Sequence, residues 1–199
     1  MRRLGLTGFN TRPRPVRRVG RPPVTHEDHC NHQWDQGALN RVWITDFTYL
    51  RYAQGWVYLC AVRDAHSHRV LGYAMGEQQS TDLVITALDM AATTRGGFPR
   101  GVVLHADRGT QFTSEKLAAY MRAAKGTMSM GRAGACWDDA MADSSWTALT
   151  TKYYYRYTVT TRNQVRTRGN TCIENSYNHR RIHTSLGSTP IKYKQHQAA

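Results

Sequence analysis

Three β-rich segments in close succession, followed by a switch to helical spacing, constrain this chain more than any other feature. VWITDFTYLR (42–51) is β-branched and aromatic and roughly alternating, AQG supplies a turn, and WVYLCAVRDAHS (56–67) reads as a second strand. His66 to Arg69 turn the chain again into VLGYAMG (70–76), and three consecutive strands with short links most simply form an antiparallel meander. From Thr81 to Thr94, the residues Leu83, Val84, Ala87, Leu88 and Ala91 recur at helical spacing behind Ser80, a ready cap. VVLHAD (102–107) is the short apolar run of a buried parallel strand, and a second helix near 113–125 starts behind Thr113 or Ser114. Three antiparallel strands followed by helix, strand and helix predict an α/β domain with a mixed sheet. Further on, Asp138 to Leu149 suits a helix, whereas YYYRYTVTT favours extended structure by propensity.

Charge divides the 199 residues into three parts. The first 25 residues carry seven arginines and no acid, and from residue 150 onward nine basic residues face one acid, Glu174. The middle is slightly acidic, so the whole net charge of +13 comes from the two flanks. Basic flanks around an acidic centre attract a polyanion, and nucleic acid is the partner they predict. Neither flank shows an amphipathic helix for a membrane surface, and no run of about 18 apolar residues spans a bilayer. The basic N-terminus lacks the apolar stretch of a secretory signal, which predicts a cytoplasmic, nucleoid-associated protein without a membrane partner.

Cys30, Cys60, Cys136 and Cys172 are far apart and form no C-x-x-C pair, so a disulfide framework is not indicated. HEDHCNH holds His26, His29, Cys30 and His32, ligand types that zinc accepts. No second ligand pair follows at finger spacing, and the stretch reads as a polar linker.

Asp46 lies among Ile44, Phe47, Tyr49 and Leu50 in the first strand, where an acid is unfavourable unless paired, protonated or bound to metal. Asp107 ends VVLHAD, and the carboxyl ends of strands are where open α/β sheets hold their sites. If the two strands are neighbours, the carboxylates converge. Asp139 and Asp143, four apart on the third predicted helix, share one face. Three clustered carboxylates supply hard oxygen ligands for Mg²⁺ or Mn²⁺, and two such ions serve phosphodiester displacement.

Four segments in order, NRVWITDFTYL (40–50), VVLHADRGTQFTS (102–114), GACWDDAMAD (134–143) and YNHRRIHTSLGSTP (177–190), resemble the integrase core of DDE transposases from bacterial insertion sequences. The likeness covers residues 41 to 190, is close to the insertion-sequence-three type and extends distantly to retroviral integrases. That family separates its second and third acids by 35 residues, a spacing that Asp107 and Asp143 meet. The resemblance implies a ribonuclease-H-like fold: a mixed five-stranded sheet flanked by helices. It also implies a cut-and-join reaction in which water attacks a phosphodiester at the element end and the freed 3′-hydroxyl attacks target DNA. Asp46, Asp107 and Asp143 would be the catalytic, metal-holding residues, with two Mg²⁺ or Mn²⁺ ions and no small-molecule cofactor. Arg108, Lys152, Arg180 and Arg181, with Arg17 and Arg18 of the arm, are candidates for DNA contact, and a homo-oligomer on DNA is implied.

The chain departs from the family at several points. Asp143 stands where the family has Glu; a shift of about 1 Å in a catalytic group costs about 100-fold in rate. Asp139 replaces the usual Asn, and Thr150 stands where Lys or Arg commonly contacts DNA. Lys152 lies roughly 200° around an ideal helix from that position. Gly169 and Asn170 interrupt a helix that the family makes amphipathic. The departures predict reduced or lost activity, with a catalytically inactive DNA-binding remnant as the alternative and a generic metal nuclease as a third reading. Residues 1–38 read as a basic arm and linker, similar to the tail of the family's upstream DNA-binding region. Residues 39–195 read as the catalytic core with a basic C-terminal tail. Specific recognition of element ends is expected to be missing, whereas the arm still binds phosphates without sequence preference.

Overall fold

The computed structural model describes residues 26–31, 33–131, 150, 154 and 158–197. Its sheet has the order β3-β2-β1-β4-β5. β1 (Val42–Tyr52), β2 (Gly55–Asp64) and β3 (Val70–Gly76) form the antiparallel meander, and β1 then pairs in parallel with β4 (Val103–Ala106). β5 (Thr127–Met130) adds in parallel to β4. α1 (Thr81–Arg95) and α2 (Glu115–Ala123) start where the sequence expects, with the Ser80 and Ser114 hydroxyls accepting from the Leu83 and Leu117 amides. α3 (Arg162–Thr171) runs into a π-helical segment, Cys172–Asn178, and α4 (Pro190–Gln197) follows.

Alternation along the strands divides the core between the two faces of the sheet. α1 and α2 cover Trp43, Val62, Leu71 and Leu104, adding Val84, Leu88, Leu117 and Met121. The opposite face buries Leu50, Leu59, Ala61 and Val70 beneath Val165, Ile173 and Tyr177 of the C-terminal helical region. A smaller cluster joins Cys30 to Val42, Ile44 and Ala65. At Gly72, β3 touches α1 backbone to backbone. A Cβ there would lie 2.2 Å from the Ala87 carbonyl oxygen and 2.4 Å from the Ala91 nitrogen.

Several sequence expectations change. β2 ends at Asp64 instead of continuing to Ser67, because the Asp64 carboxylate turns back to accept from the Ser67 amide and hydroxyl at 2.8 and 2.9 Å. The same carboxylate accepts from the Asn40 amide at 2.7 Å and lies 3.4 Å from Arg95 Nη2. β5 has no counterpart in a residue-by-residue reading, since TMSM carries little strand signal. Tyr154 has π-helical rather than extended backbone, with its ring buried and its hydroxyl donating to the Arg51 carbonyl. Gly169 is not a flaw in α3. It lies against β1 and β3, where a Cβ would meet Met75 Cε at 2.3 Å and Leu50 Cδ1 at 3.4 Å. The predicted helix from Asp138 to Leu149 lies outside the described residues.

Asn178, fully buried, accepts from the Val70 amide and donates to the Val70 carbonyl, both at 3.0 Å, and so pairs the outer edge of β3 where a sixth strand would begin. Beside it, burial lowers His68 to about 4 and His183 to about 3, helped by the Arg63 and Arg181 cations respectively.

Replacing Gly72 with Ala drives α1 off the sheet and lowers unfolding stability by about 3 kcal/mol, readable by urea titration. For the histidines the unfolded chain takes up protons below their ordinary value of 6.5 while the fold refuses them. Their contribution is therefore complete above pH 6.5 and is lost as the pH falls toward 4 and then 3. Thermal melts between pH 7 and 4 will show this acid limb, and the double variant His68→Asn, His183→Asn will flatten part of it.

Candidate active site

Parallel pairing of β1 with β4 sets Ile44 beside His105. Two residues further along the chain from each stand Asp46, still within β1, and Asp107, just past the end of β4. β4 ends at Ala106 while β1 runs on to Tyr52, and the step between them opens a cavity of about 460 Å³. Asp46, Phe47, Tyr49, Gln79, Asp107 and Gln111 line it, together with Gly109 and Thr110. The structure thus brings together two of the three expected acids. Asp143, Asp139, Lys152, Arg17 and Arg18 lie outside the described residues.

Local bonds orient both carboxylates. Asp46 Oδ1 accepts from the Phe47 amide at 2.7 Å, and Asp107 Oδ1 accepts from the Gly109 amide at 2.8 Å. Gly109 leaves room for these side chains as they stand: a Cβ would fall 2.2 Å from Gln111 Nε2 and 2.9 Å from Asp107 Oδ1. The loop is held from below as well. Phe112 packs on Phe47 with ring centroids 5.6 Å apart, and the Thr81 hydroxyl at the start of α1 donates to the Gln111 carbonyl at 3.0 Å. The walls are therefore set by three elements, β1, the loop after β4 and the N-terminus of α1.

Hard oxygen donors from β1 and from the loop after β4, lining one open polar cavity, suit a divalent cation such as Mg²⁺ or Mn²⁺. Of the expected cationic contacts, Arg180 is exposed. Arg181 lies 5.1 Å over the Tyr177 ring, and Arg108 Nε donates to the Gly131 carbonyl at 2.8 Å. The sequence reading missed the surface beyond the cavity. Tyr49 and Trp56 are about half exposed, their rings 6.1 Å apart, with Tyr58 and the Arg51 guanidinium beside them. Their signal was the alternation that puts residues 49 and 51 of β1 opposite 58 and 56 of β2 on one face.

Residues 33–136 match the integrase core domain family. The chain is 32% identical over 190 residues to the transposase InsF for insertion sequence IS3A of Escherichia coli (strain K12), covering 94% of this chain and 65% of that protein. It is 30% identical over 187 residues to the transposase for insertion sequence element IS629 of Shigella sonnei, covering 94% of this chain and 62% of that protein. The chain thus spans somewhat less than two thirds of the length of these relatives. Among solved structures, the HTLV-2 integrase catalytic core domain in complex with magnesium (dimeric form) aligns with TM-score 0.60 at 17% identity, over 79% of this chain and 97% of that one. A simian T-cell lymphotropic virus intasome aligns with TM-score 0.66 at 16% identity, over 86% of this chain and 58% of that one. At such identities these two report on the fold, which is ribonuclease-H-like.

Proposed function

Because the chain belongs to the integrase core domain family, we propose that it is the catalytic core of an insertion-sequence transposase, which cleaves DNA at element ends and joins them to target DNA. The observation that carries this reading is the parallel pairing of β1 with β4, whose ends bring Asp46 and Asp107 to one open cavity. A metal-dependent reaction accords with the donor set and with the magnesium in the HTLV-2 integrase core. Asp46 and Asp107 would hold two ions, with Asp143 completing the set. When bound, Mg²⁺ or Mn²⁺ activates the attacking oxygen and neutralises charge on the leaving oxygen.

The chain's own residues do the positioning. The amide bonds to Asp46 Oδ1 and Asp107 Oδ1 keep both carboxylates turned before substrate arrives, so little reorganisation remains for the reaction itself. Gln79, Thr110 and Gln111 offer uncharged hydrogen-bonding groups to the sugar and phosphate next to the scissile bond. Tyr49, Trp56 and Tyr58 offer rings on which an unpaired base at a frayed end can stack. Arg180 and the basic arm, Arg17 and Arg18 included, neutralise flanking phosphates, and Lys152 belongs with them by charge. Two copies working together on a pair of ends accord with the dimeric form of the HTLV-2 core.

The test is strand transfer in Mn²⁺ from precut DNA, with cleavage of the uncut duplex alongside, both carrying the terminal sequences of the element that encodes this chain. Joined products are expected from the unmodified chain and not from Asp107→Ala. Asp143→Glu restores the longer side chain and raises the rate, by about 100-fold if the shorter acid is misplaced by about 1 Å. Products that survive Asp107→Ala would overturn the reading. DNA binding without cleavage by a folded chain and by Asp143→Glu alike would favour the inactive remnant.

Gly109→Ala gives a sharper check on geometry. The added methyl presses on Asp107 Oδ1, so joining falls about 100-fold while the melting temperature stays within about 3 °C.

A further inference from the structure

Residues 26–31 of the stretch that reads as a linker in the sequence are docked along β5, the neighbour of the strand that leads into the cavity. The Glu27 carbonyl accepts from the Met130 amide at 3.3 Å, and the His29 amide donates to Ser129 Oγ at 3.0 Å. Docking gathers Asp28, Cys30 and His105, with one ligand atom from each lying within 4.8 Å of the others. His105 supplies what the linear motif lacked, a ligand 75 residues downstream of Cys30.

Three observations give this cluster the chemistry of a metal site. First, the Asp28 carboxylate is half committed. Its Oδ1 accepts from the Cys30 and Asn31 amides at 3.0 Å, while Oδ2 is buried with no hydrogen-bond partner. A carboxylate oxygen shut away from water costs stability unless a cation meets it. Second, Ser129 bridges the ligands and the docked segment. Its hydroxyl accepts from the His29 amide and donates to Cys30 Sγ at 3.8 Å. His105 Nδ1 lies 3.1 Å from the same oxygen, and the tautomer that donates from Nδ1 to Ser129 leaves a lone pair on Nε2. A ring held by Nδ1–H on a neighbouring oxygen with Nε2 as donor atom is the usual arrangement of a metal-ligating histidine. Third, Cys30 and His105 are almost completely buried, with 2% and 5% exposure, so the ligands are preorganised and shielded from bulk water.

We propose that Asp28, Cys30 and His105 form a zinc site, separate from the two-carboxylate cavity. Thiolate, imidazole and carboxylate are the borderline donor set that zinc takes and that magnesium, with its preference for oxygen and its retained waters, does not. Zinc binding releases the Cys30 thiol proton to solvent, and a water molecule fills the fourth position. Zn–S of about 2.3 Å and Zn–N of about 2.0 Å hold tetrahedral donors roughly 3.5 Å apart, so closing the site asks about 1 Å of side-chain movement. Its effect is mechanical. The ion clamps the segment that follows the arginine-rich residues 1–25 in sequence onto β4, two residues before Asp107.

The full chain, stripped of metal under reducing conditions, is titrated with Co²⁺ in excess Mg²⁺, which occupies all-oxygen sites. The expected result is one equivalent of Co²⁺ with a thiolate charge-transfer band and intense tetrahedral d–d bands, displaced by Zn²⁺, and a melting temperature raised by Zn²⁺. Cys30→Ser abolishes the band, Asp28→Asn weakens binding at least tenfold, and Ser129→Ala weakens it by about 10- to 100-fold. Cys136→Ser and Cys172→Ser leave the band in place. A folded wild-type chain, checked by circular dichroism, that gives no charge-transfer band would overturn the proposal. So would a band that persists in Cys30→Ser.

Discussion

The buried carboxylate of Asp64 is the joint on which the sheet's alignment rests. Fully removed from solvent, it gathers the Asn40 amide before β1, the amide and hydroxyl of Ser67 in the β2–β3 turn, and the Arg95 guanidinium at the end of α1. An ion so placed costs several kcal/mol unless its partners are all in position, which ties four chain segments to one arrangement. Asp64 also faces Trp43 across the β1–β2 ladder. A slip of one residue there would turn every side chain of β1 to the other face and take Asp46 away from Asp107. A charge at one end of the sheet thereby determines whether two charges further along it can converge.

Local patterns carried the sequence reading a long way where the physics is local. Ser80 and Ser114 cap their helices because a short hydroxyl side chain reaches an amide three residues on, a relation visible in any window of four. Asp46 was legible because an acid among Ile44, Phe47 and Leu50 asks for a reason. The end of β2 was not legible. WVYLCAVRDAHS continues to look like strand, and only the turn made by Asp64 shows where the ladder stops. β5 was hidden for another reason: four residues between α2 and the next segment are strand only because β4 offers them an edge.

The C-terminal third shows how far propensity misleads when partners are distant. Gly169 is unfavourable in an isolated helix, yet here the missing side chain lets α3 settle onto Met75 and Leu50 of the sheet. Asn178 has no reason to be buried until it meets both backbone groups of Val70, 108 residues earlier. Tyr154, in a stretch that reads as extended by propensity, serves as core for a helical layer. In each case the decisive contact links positions that no short window contains. The same holds for Cys30 and His105, where a motif that looks incomplete by spacing is completed by folding.

The contact at Gly72 has a consequence for how such a chain tolerates change. Where a helix is spaced from a sheet by side chains, substitutions on either surface adjust the gap and gradually move whatever the helix carries. Here the spacing is a stop made of main-chain atoms, the Ala87 carbonyl and Ala91 nitrogen against the Gly72 Cα. Neighbouring side chains can be exchanged without altering it. The start of α1, which supports the Gln111 loop through Thr81, is thus referenced to backbone rather than to composition. A lineage that preserves one glycine can let most of its other residues diverge and still pass on a cavity of the same dimensions.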